Sequence, residues 1–265
     1  MQPPKLSLII AVYKNIEALD LIFKSLEKQS FKDFEVIIAE DNDGDDMRNF
    51  IQNAQKQYNF NIKHVAQADL GFRKCKALNS SIRASAAEYI VFIDGDCILH
   101  PHFLKAHFDN KESKTALWGR RVMLSAVLSE KMKPNTEGVL KKLNFPNLWF
   151  HRCKRLDAAL YLPFLPSKRG VKTAIWGCNW SIHKTDLVAV NGFDEDYEQP
   201  GIGEDTDIEW RLLKNGIVLK KIKNKAIQYH LHHAENYAST NSMESMLKKK
   251  KGENLIFIKN GLQKV

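Results

Sequence analysis

The chain has 265 residues, of which 44% are hydrophobic, 27% charged and 10% aromatic. That length suits one large core, or a core with a modest lobe, and the composition excludes a disordered chain and a fibrous repeat. The formal charge of +9 implies an anionic partner, without choosing among nucleic acid, a membrane surface and a phosphorylated substrate.

The opening MQPPKLSLIIAVYK has an apolar run too short for a secretory core, and no stretch approaches the length of a membrane span. Cys75, Cys97, Cys153 and Cys178 lack paired metal spacing, which argues against a disulfide framework or structural zinc and for a reducing cytosol. Residues 6–12 (LSLIIAV) are continuously apolar, as in a strand covered on both faces. Residues 15–29 place Ile16, Leu19, Ile22, Phe23 and Leu26 at helical spacing behind a cap at Asn15. A second strand over 34–39 ends in the acidic turn Glu40-Asp41-Asn42-Asp43-Gly44, and a helix over 47–58 and a short strand over 61–65 follow. Beyond Leu70-Gly71-Phe72, residues 73–85 read as a helix.

The next strand, Tyr89 to Ile93, stops at Asp94-Gly95-Asp96. Two carboxylates at the carboxyl end of a buried strand, separated by a glycine that lets a ligand approach the backbone, suit a divalent cation bridged to phosphate oxygens. From 101 to 172 the pattern weakens into aromatic residues (Trp118, Phe145, Trp149, Phe150, Tyr161, Phe164) mixed with basic ones, and part of it is expected to be a mobile loop or flap. Order returns over 174–182, and a short helix over 184–190 and the turn Asn191-Gly192-Phe193 come next. The acidic Gly203-Glu204-Asp205-Thr206-Asp207 opens a helix that Asn215-Gly216 ends; strands over 217–219 and 226–229 lead to His230, His232 and His233. The tail from Ser242 is a basic helix carrying Lys248 to Lys251.

Strands alternating with helices predict an α/β domain with a doubly wound, mostly parallel sheet, whose ligands sit at its carboxyl edge. Four polar clusters fall there: Asp41, Asp94 with Asp96, Glu204 with Asp205, and the three histidines. Singly, each also has a plain structural reading, as a turn, a helix cap, a group that suits the helix dipole or a surface histidine. Their shared placement points to one site.

Residues 6–13, 34–41, 71–82 and 89–96 together resemble a family-2 glycosyltransferase of the GT-A fold. Trp176-Gly177-Cys178-Asn179, Asn191-Gly192-Phe193-Asp194 and the run from Gly203 to Leu212 resemble the carboxyl-terminal region shared by β-1,4-galactosyltransferases and bacterial chondroitin-type polymerases. The resemblance implies a Rossmann-like, mostly parallel sheet flanked by helices. It also implies a nucleotide-sugar half over 1–100, an acceptor-binding and catalytic half over 101–240, with an acceptor-facing flap, and a basic tail over 241–265. The implied reaction is a metal-dependent, inverting transfer from a nucleotide diphosphate sugar, a UDP-linked hexose or N-acetylhexosamine, to a hydroxyl of a glycan or lipid-linked glycan in bacterial surface polysaccharide synthesis.

The resemblance also implies roles. Asp96 of the DxD motif binds Mn or Mg, while Asp94 lies nearer the ribose and metal-bound water across Gly95. Asp41 accepts from the base's imide N–H, Ala11 and Tyr13 line the same pocket, and Arg73 stands beside the base or diphosphate. Trp176 and Asn179 complete the donor pocket. Asp205 is the general base and Glu204 holds sugar hydroxyls. A helix amino terminus lowers the pKa of such a base, yet keeps it ionised. His230 is the preferred further metal ligand, ahead of His233 and then His232. The family's aromatic residue before Gly-Glu-Asp is replaced by Pro200-Gly201-Ile202-Gly203, so Trp176 or Trp180 is expected to serve as the sugar platform.

Two other readings compete. A non-enzymatic binder of an anionic polymer fits the basic and aromatic 118–172 segment, but leaves the carboxylates unexplained, and they would repel nucleic acid. A sugar-nucleotide nucleotidyltransferase would carry a glycine-rich first loop, which residues 11–15 lack. A cytoplasmic protein, with Lys248 to Lys251 touching the anionic inner face of the membrane, is expected.

Overall fold

The computed structural model describes residues 2–132, 138–170, 175–200, 203–234 and 241–265. β1 (Leu6–Val12), α1 (Ile16–Glu27), β2 (Phe34–Glu40), α2 (Asp45–Gln57), β3 (Asn61–Ala66), α3 (Lys74–Ala84) and β4 (Tyr89–Asp94) alternate as the hydrophobic pattern predicts. Asn15 caps α1, its side-chain oxygen accepting from the Ala18 N–H at 3.1 Å. β1 runs parallel to both β2 and β4, and β2 to β3. Alternate residues of β1 enter opposite cores. Leu6, Leu8, Ile10 and Val12 join Phe23 and Phe103 on one face, while Ile9 joins Leu78, Phe92 and Trp180 on the other. Burial of both faces explains the unbroken apolar run.

The chain continues through β5 (Cys97–Leu99), α4 (Phe103–Asp109), β6 (Thr115–Trp118), β7 (Arg120–Met123), α5 (Ala126–Glu130), α6 (Phe145–Phe150), β8 (Lys168–Arg169), β9 (Trp180–His183) and α7 (Lys184–Val188). It ends with α8 (Glu204–Lys214), β10 (Val218–Lys221), β11 (Ile227–His230) and α9 (Asn241–Gly252). The main sheet has the order β3-β2-β1-β4-β9-β6-β10-β8, with β9 antiparallel to both β4 and β6, and β6 parallel to β10. A smaller sheet has the order β5-β11-β7.

Two stretches differ in detail from the hydrophobic pattern. Much of 101–172 is regular structure, while most of 151–167 is irregular chain: the segment supplies β6 and β8 to the main sheet and β7 to the small one, and its Val122, Leu128, Met132, Val139 and Leu148 form a third core with Ile98 and Tyr229. Elements of two to seven residues are too short to display a period, which is why the pattern looked weak. Within the ordered stretch expected over 174–182, the strand β9 starts at Trp180, because 177–179 form a turn. Residues 133–137 and 171–172 of the former segment, Ala174 of the latter, and Gly201 and Ile202 before α8 lie outside the described residues.

Two arrangements aim the site. At the carboxyl edge, Ala11 lies in register with both Ala39 and Asp94, and the Gly95 N–H donates to the Ala11 carbonyl at 2.7 Å. A Cβ at Gly95 would stand 2.9 Å from that oxygen and from the Val12 side chain, so only glycine closes this edge. On the other wall, fully buried Arg211 of α8 pairs with Asp207 at 2.7 Å and donates to the carbonyls of Val190 and Gly192 at 2.8 Å. Asn79 of α3 bonds both the N–H and the carbonyl of Phe193. These contacts set the acidic amino end of α8 against α3.

Candidate active site

A cavity of about 890 Å³ opens at the carboxyl ends of β1, β2 and β4. Ala11, Tyr13, Asp41, Asp94, Gly95, Asp96, Trp176, Glu204, Asp205 and His230 all line it, as does His233. Arg73 and Asn179 do not.

Asp96 is the meeting point of two imidazoles. The Nε2 atoms of His230 and His233 each lie 3.2 Å from its Oδ2, and one ligand atom from each of the three residues falls within 4.8 Å of the others. His230 and His233 are therefore partners on one carboxylate, where the sequence had left them as rivals; His232 does not join them. Burial alone would raise the pKa of Asp96, but its hydrogen bonds to the two imidazoles outweigh burial and depress it. The same bond pushes His233 up to about 9. One carboxylate oxygen and two imidazole nitrogens, converging on a cavity wall, fit a divalent cation, and the nitrogens favour Mn over Mg.

A second group centres on Lys74, a residue that no motif in the sequence marks. Its Nζ donates to Asp94 at 3.0 Å and lies 3.9 Å from Glu204. Burial opposes its charge, but Asp94, Asp205 and Glu204 outweigh burial and hold its pKa well above the usual value. Asp205 accepts the Gly177 N–H at 2.7 Å; a Cβ on Gly177 would stand 2.9 Å from the Lys74 ammonium and 3.1 Å from Asp205, so the glycine admits both. Burial raises the pKa of Asp205, Lys74 opposes this, and the net shift is upward. The helix-end lowering expected from sequence is thus outweighed. Burial and the charge of Asp205 push Glu204 up to about 7.

Because folded Glu204 holds its proton above the ordinary 4.5, the native state binds more protons than the unfolded chain between about pH 4.5 and 7. Stability therefore falls as pH rises through that window. Glu204→Gln is expected to stabilise the protein above pH 7 by about 1–3 kcal/mol and to leave it unchanged near pH 4, read as Tm against pH.

Arg73 acts through its backbone. Its N–H donates to Asp41 Oδ2 at 2.5 Å while its guanidinium donates to the Ala68 carbonyl, and Gln67 donates to Asp41 Oδ1 at 2.6 Å. Both oxygens of Asp41 are thereby oriented at the cavity wall, and Lys74, one position along, supplies the cation there. Tyr13 is 54% exposed and donates to Asp69, which Lys14 also grips at 2.7 Å.

The motif Trp176-Gly177-Cys178-Asn179 divides its duties. The Trp176 ring stands at the cavity beneath the guanidinium groups of Arg120, 4.5 Å from the ring centroid, and Arg155, 4.8 Å. Trp180 is fully buried and stacks on Phe92 at 4.5 Å, so it is no sugar platform. Asn179 lies in the core: its carboxamide donates to the carbonyls of Arg120 and Ala226 and its oxygen is bonded to His107 Nε2 at 3.1 Å. Gly119 makes room for it, since a Cβ there would stand 2.4 Å from the Asn179 nitrogen. Burial pushes His107 down to about 3, so it is neutral, and with Nε2–H donating to Asn179 its Nδ1 accepts from Ser181. Asn179→Ala is expected to cost about 3 kcal/mol, seen as a lower Tm, with donor affinity of the folded fraction intact.

The eight-stranded sheet, closed on both faces and carrying its polar clusters at one edge, is a GT-A fold. The chain belongs to glycosyl transferase family 2, whose model matches residues 7–162. Residues 167–234 match a second model, the N-terminal domain of galactosyltransferase. Validoxylamine A glucosyltransferase from Streptomyces hygroscopicus subsp. jinggangensis is 29% identical over 229 residues, covering 81% of this chain and 52% of the relative. The GalNAc(5)-diNAcBac-PP-undecaprenol beta-1,3-glucosyltransferase of Campylobacter jejuni is 31% identical over 93 residues, 35% of this chain and 30% of that protein. The chain thus spans about half the length, or less, of these curated relatives. Among solved structures, S. aureus TarS 1-349 in complex with UDP-GlcNAc superposes with a TM-score of 0.60 at 18% identity, covering 95% of this chain and 66% of that one. The mannosyltransferase PcManGT from Pyrobaculum calidifontis, in complex with GDP-Man and Mn2+, gives 0.58 at 12% identity, covering 89% and 59%. Among the described residues, no helix is long and apolar enough to cross a membrane.

Proposed function

We propose that the protein transfers a hexosyl or N-acetylhexosaminyl group from a UDP-linked donor to a hydroxyl of a glycan acceptor, with inversion at the anomeric carbon. One observation carries the reading: the Asp96, His230 and His233 ligand atoms converge in the same cavity that Asp41 and Asp205 line. Asp41, oriented by Gln67 and the Arg73 N–H, accepts from the base. A divalent cation held by Asp96, His230 and His233 would neutralise charge on the leaving diphosphate. Lys74 keeps Asp94, Glu204 and Asp205 tolerable in one buried space. Asp205, fixed by the Gly177 N–H and raised by burial, takes the proton of the acceptor hydroxyl as the new bond forms. Trp176 serves as the sugar platform.

The acceptor is a glycan or lipid-linked glycan of bacterial surface polysaccharide synthesis, and the protein works on the cytoplasmic side of the membrane. Lys250 is not free to dock there, since it pairs with Asp194 at 2.5 Å and Asp196 at 2.7 Å; contact by this helix rests on Lys248, Lys249 and Lys251. A thermal-shift panel tests the donor: UDP and UDP-sugars are expected to raise Tm by several degrees with Mn and by much less with the nucleotide alone. Stabilisation by oligonucleotides instead would restore the polymer-binder reading.

A further inference from the structure

A second cavity, of about 460 Å³, meets the first at Arg121, His230 and His233 and extends past Arg152, Lys154 and His232. None of its described lining residues is acidic. Arg121, Arg152 and Lys154 have no carboxylate within 4.0 Å among the described residues, whereas Arg211, Lys220, Lys223 and Lys250 are each paired. The buried Nε of Arg121 has no acceptor, an unfavourable state until a ligand oxygen provides one.

The backbone holds this strip in place against its own preferences. Arg152 and Arg155 sit at φ 52° and 59°, a left-handed conformation disfavoured for side chains with a Cβ. Between them Lys154 exchanges two backbone hydrogen bonds with Met123 at the end of β7, at 2.9 and 3.0 Å, and the Cys153 N–H donates to the Leu148 carbonyl at 3.0 Å. Unpaired cations repel one another, so a cluster of them lining one cavity beside His230 and His233 favours an anion there. Arg121 borders both cavities, but the donor's diphosphate does not account for Arg152 and Lys154, which line only the second one.

We propose that the second cavity is an acceptor subsite for an oxyanion, a phosphate carried by the acceptor near the hydroxyl that receives the sugar. This rests on the glycosyltransferase reading above. The test is calorimetric binding of glucose 1-phosphate, glucuronate and glucose to the full chain, with and without saturating UDP and Mn, and sedimentation with phosphatidylglycerol vesicles. Glucose 1-phosphate is expected to bind in both conditions, more weakly as salt rises, and about tenfold more weakly to Arg152→Gln/Lys154→Gln, whose UDP affinity stays unchanged. Equal binding by the double variant, or equal binding of glucose, would overturn the subsite. Stronger binding of glucuronate would overturn the phosphate assignment, and binding to vesicles alone would make the strip a membrane contact. Loss of UDP and Mn binding with glucose 1-phosphate still bound would overturn the donor reading while supporting the anion cavity.

Discussion

Asp205→Asn is expected to lower kcat by about 10³-fold while leaving Mn-dependent stabilisation by UDP intact. Asparagine keeps the shape of the side chain and an oxygen for the Gly177 N–H, so α8 and the glycine turn hold their places. What it loses is the ability to take a proton. In the wild type the upward shift of Asp205 predicts that kcat/KM falls as pH drops through a pKa above the ordinary 3.8, about tenfold per unit, because only the ionised carboxylate is a base. Glu204→Gln separates the two carboxylates. It is expected to raise KM more than it lowers kcat, since Glu204 is assigned to holding hydroxyls. A wild-type rate from Asp205→Asn would remove Asp205 from the chemistry, and a collapse of kcat in Glu204→Gln alone would transfer the role to its neighbour.

Asp96→Ala and His230→Ala are each expected to abolish the Mn-dependent rise in Tm with UDP and to reduce transfer by about 10²-fold or more. Asp96→Ala has a second readout independent of turnover. The His233 imidazole owes its pKa of about 9 chiefly to the bond with Asp96, so without that carboxylate it should titrate at clearly lower pH, visible by NMR of the ring protons. In the intact protein the charged His233 competes with a cation for Asp96. Metal binding should therefore release a proton and tighten as pH rises toward about 9, levelling off above it. Affinity for Mn that does not change between pH 6 and 9 would remove His233 from the ligand set.

The parts of the site legible in the sequence are those where a strand ends. β1, β2 and β4 are buried on both faces, so each appears as a local apolar run, and the residues at or just after its end, Ala11 to Tyr13, Asp41 and Asp94 to Asp96, necessarily reach the carboxyl edge. The amino end of α8 and the strand before His230 announce themselves in the same way. These are properties of neighbours in the chain, and covalent continuity carries them into the fold.

Other assignments depend on which way a side chain turns once distant segments meet. Arg73 and Lys74 are adjacent cations, and only the packing of α3 against Gly177 and α8 places the Lys74 ammonium among three carboxylates while the Arg73 guanidinium goes to Ala68. Asn179 looks like a site residue beside Trp176, yet a gap opened by Gly119, 60 positions earlier, draws it into the core. The segment 101–172 gains its order from β11 and β10, which follow it in the chain and pair with its β7 and β6. Strand ends, and with them the sheet edge that binds, follow from hydrophobic runs a few residues long; the ion pairs and the base's environment follow from contacts between segments as far apart in the chain as Lys74 and Glu204, whose energies no local pattern contains.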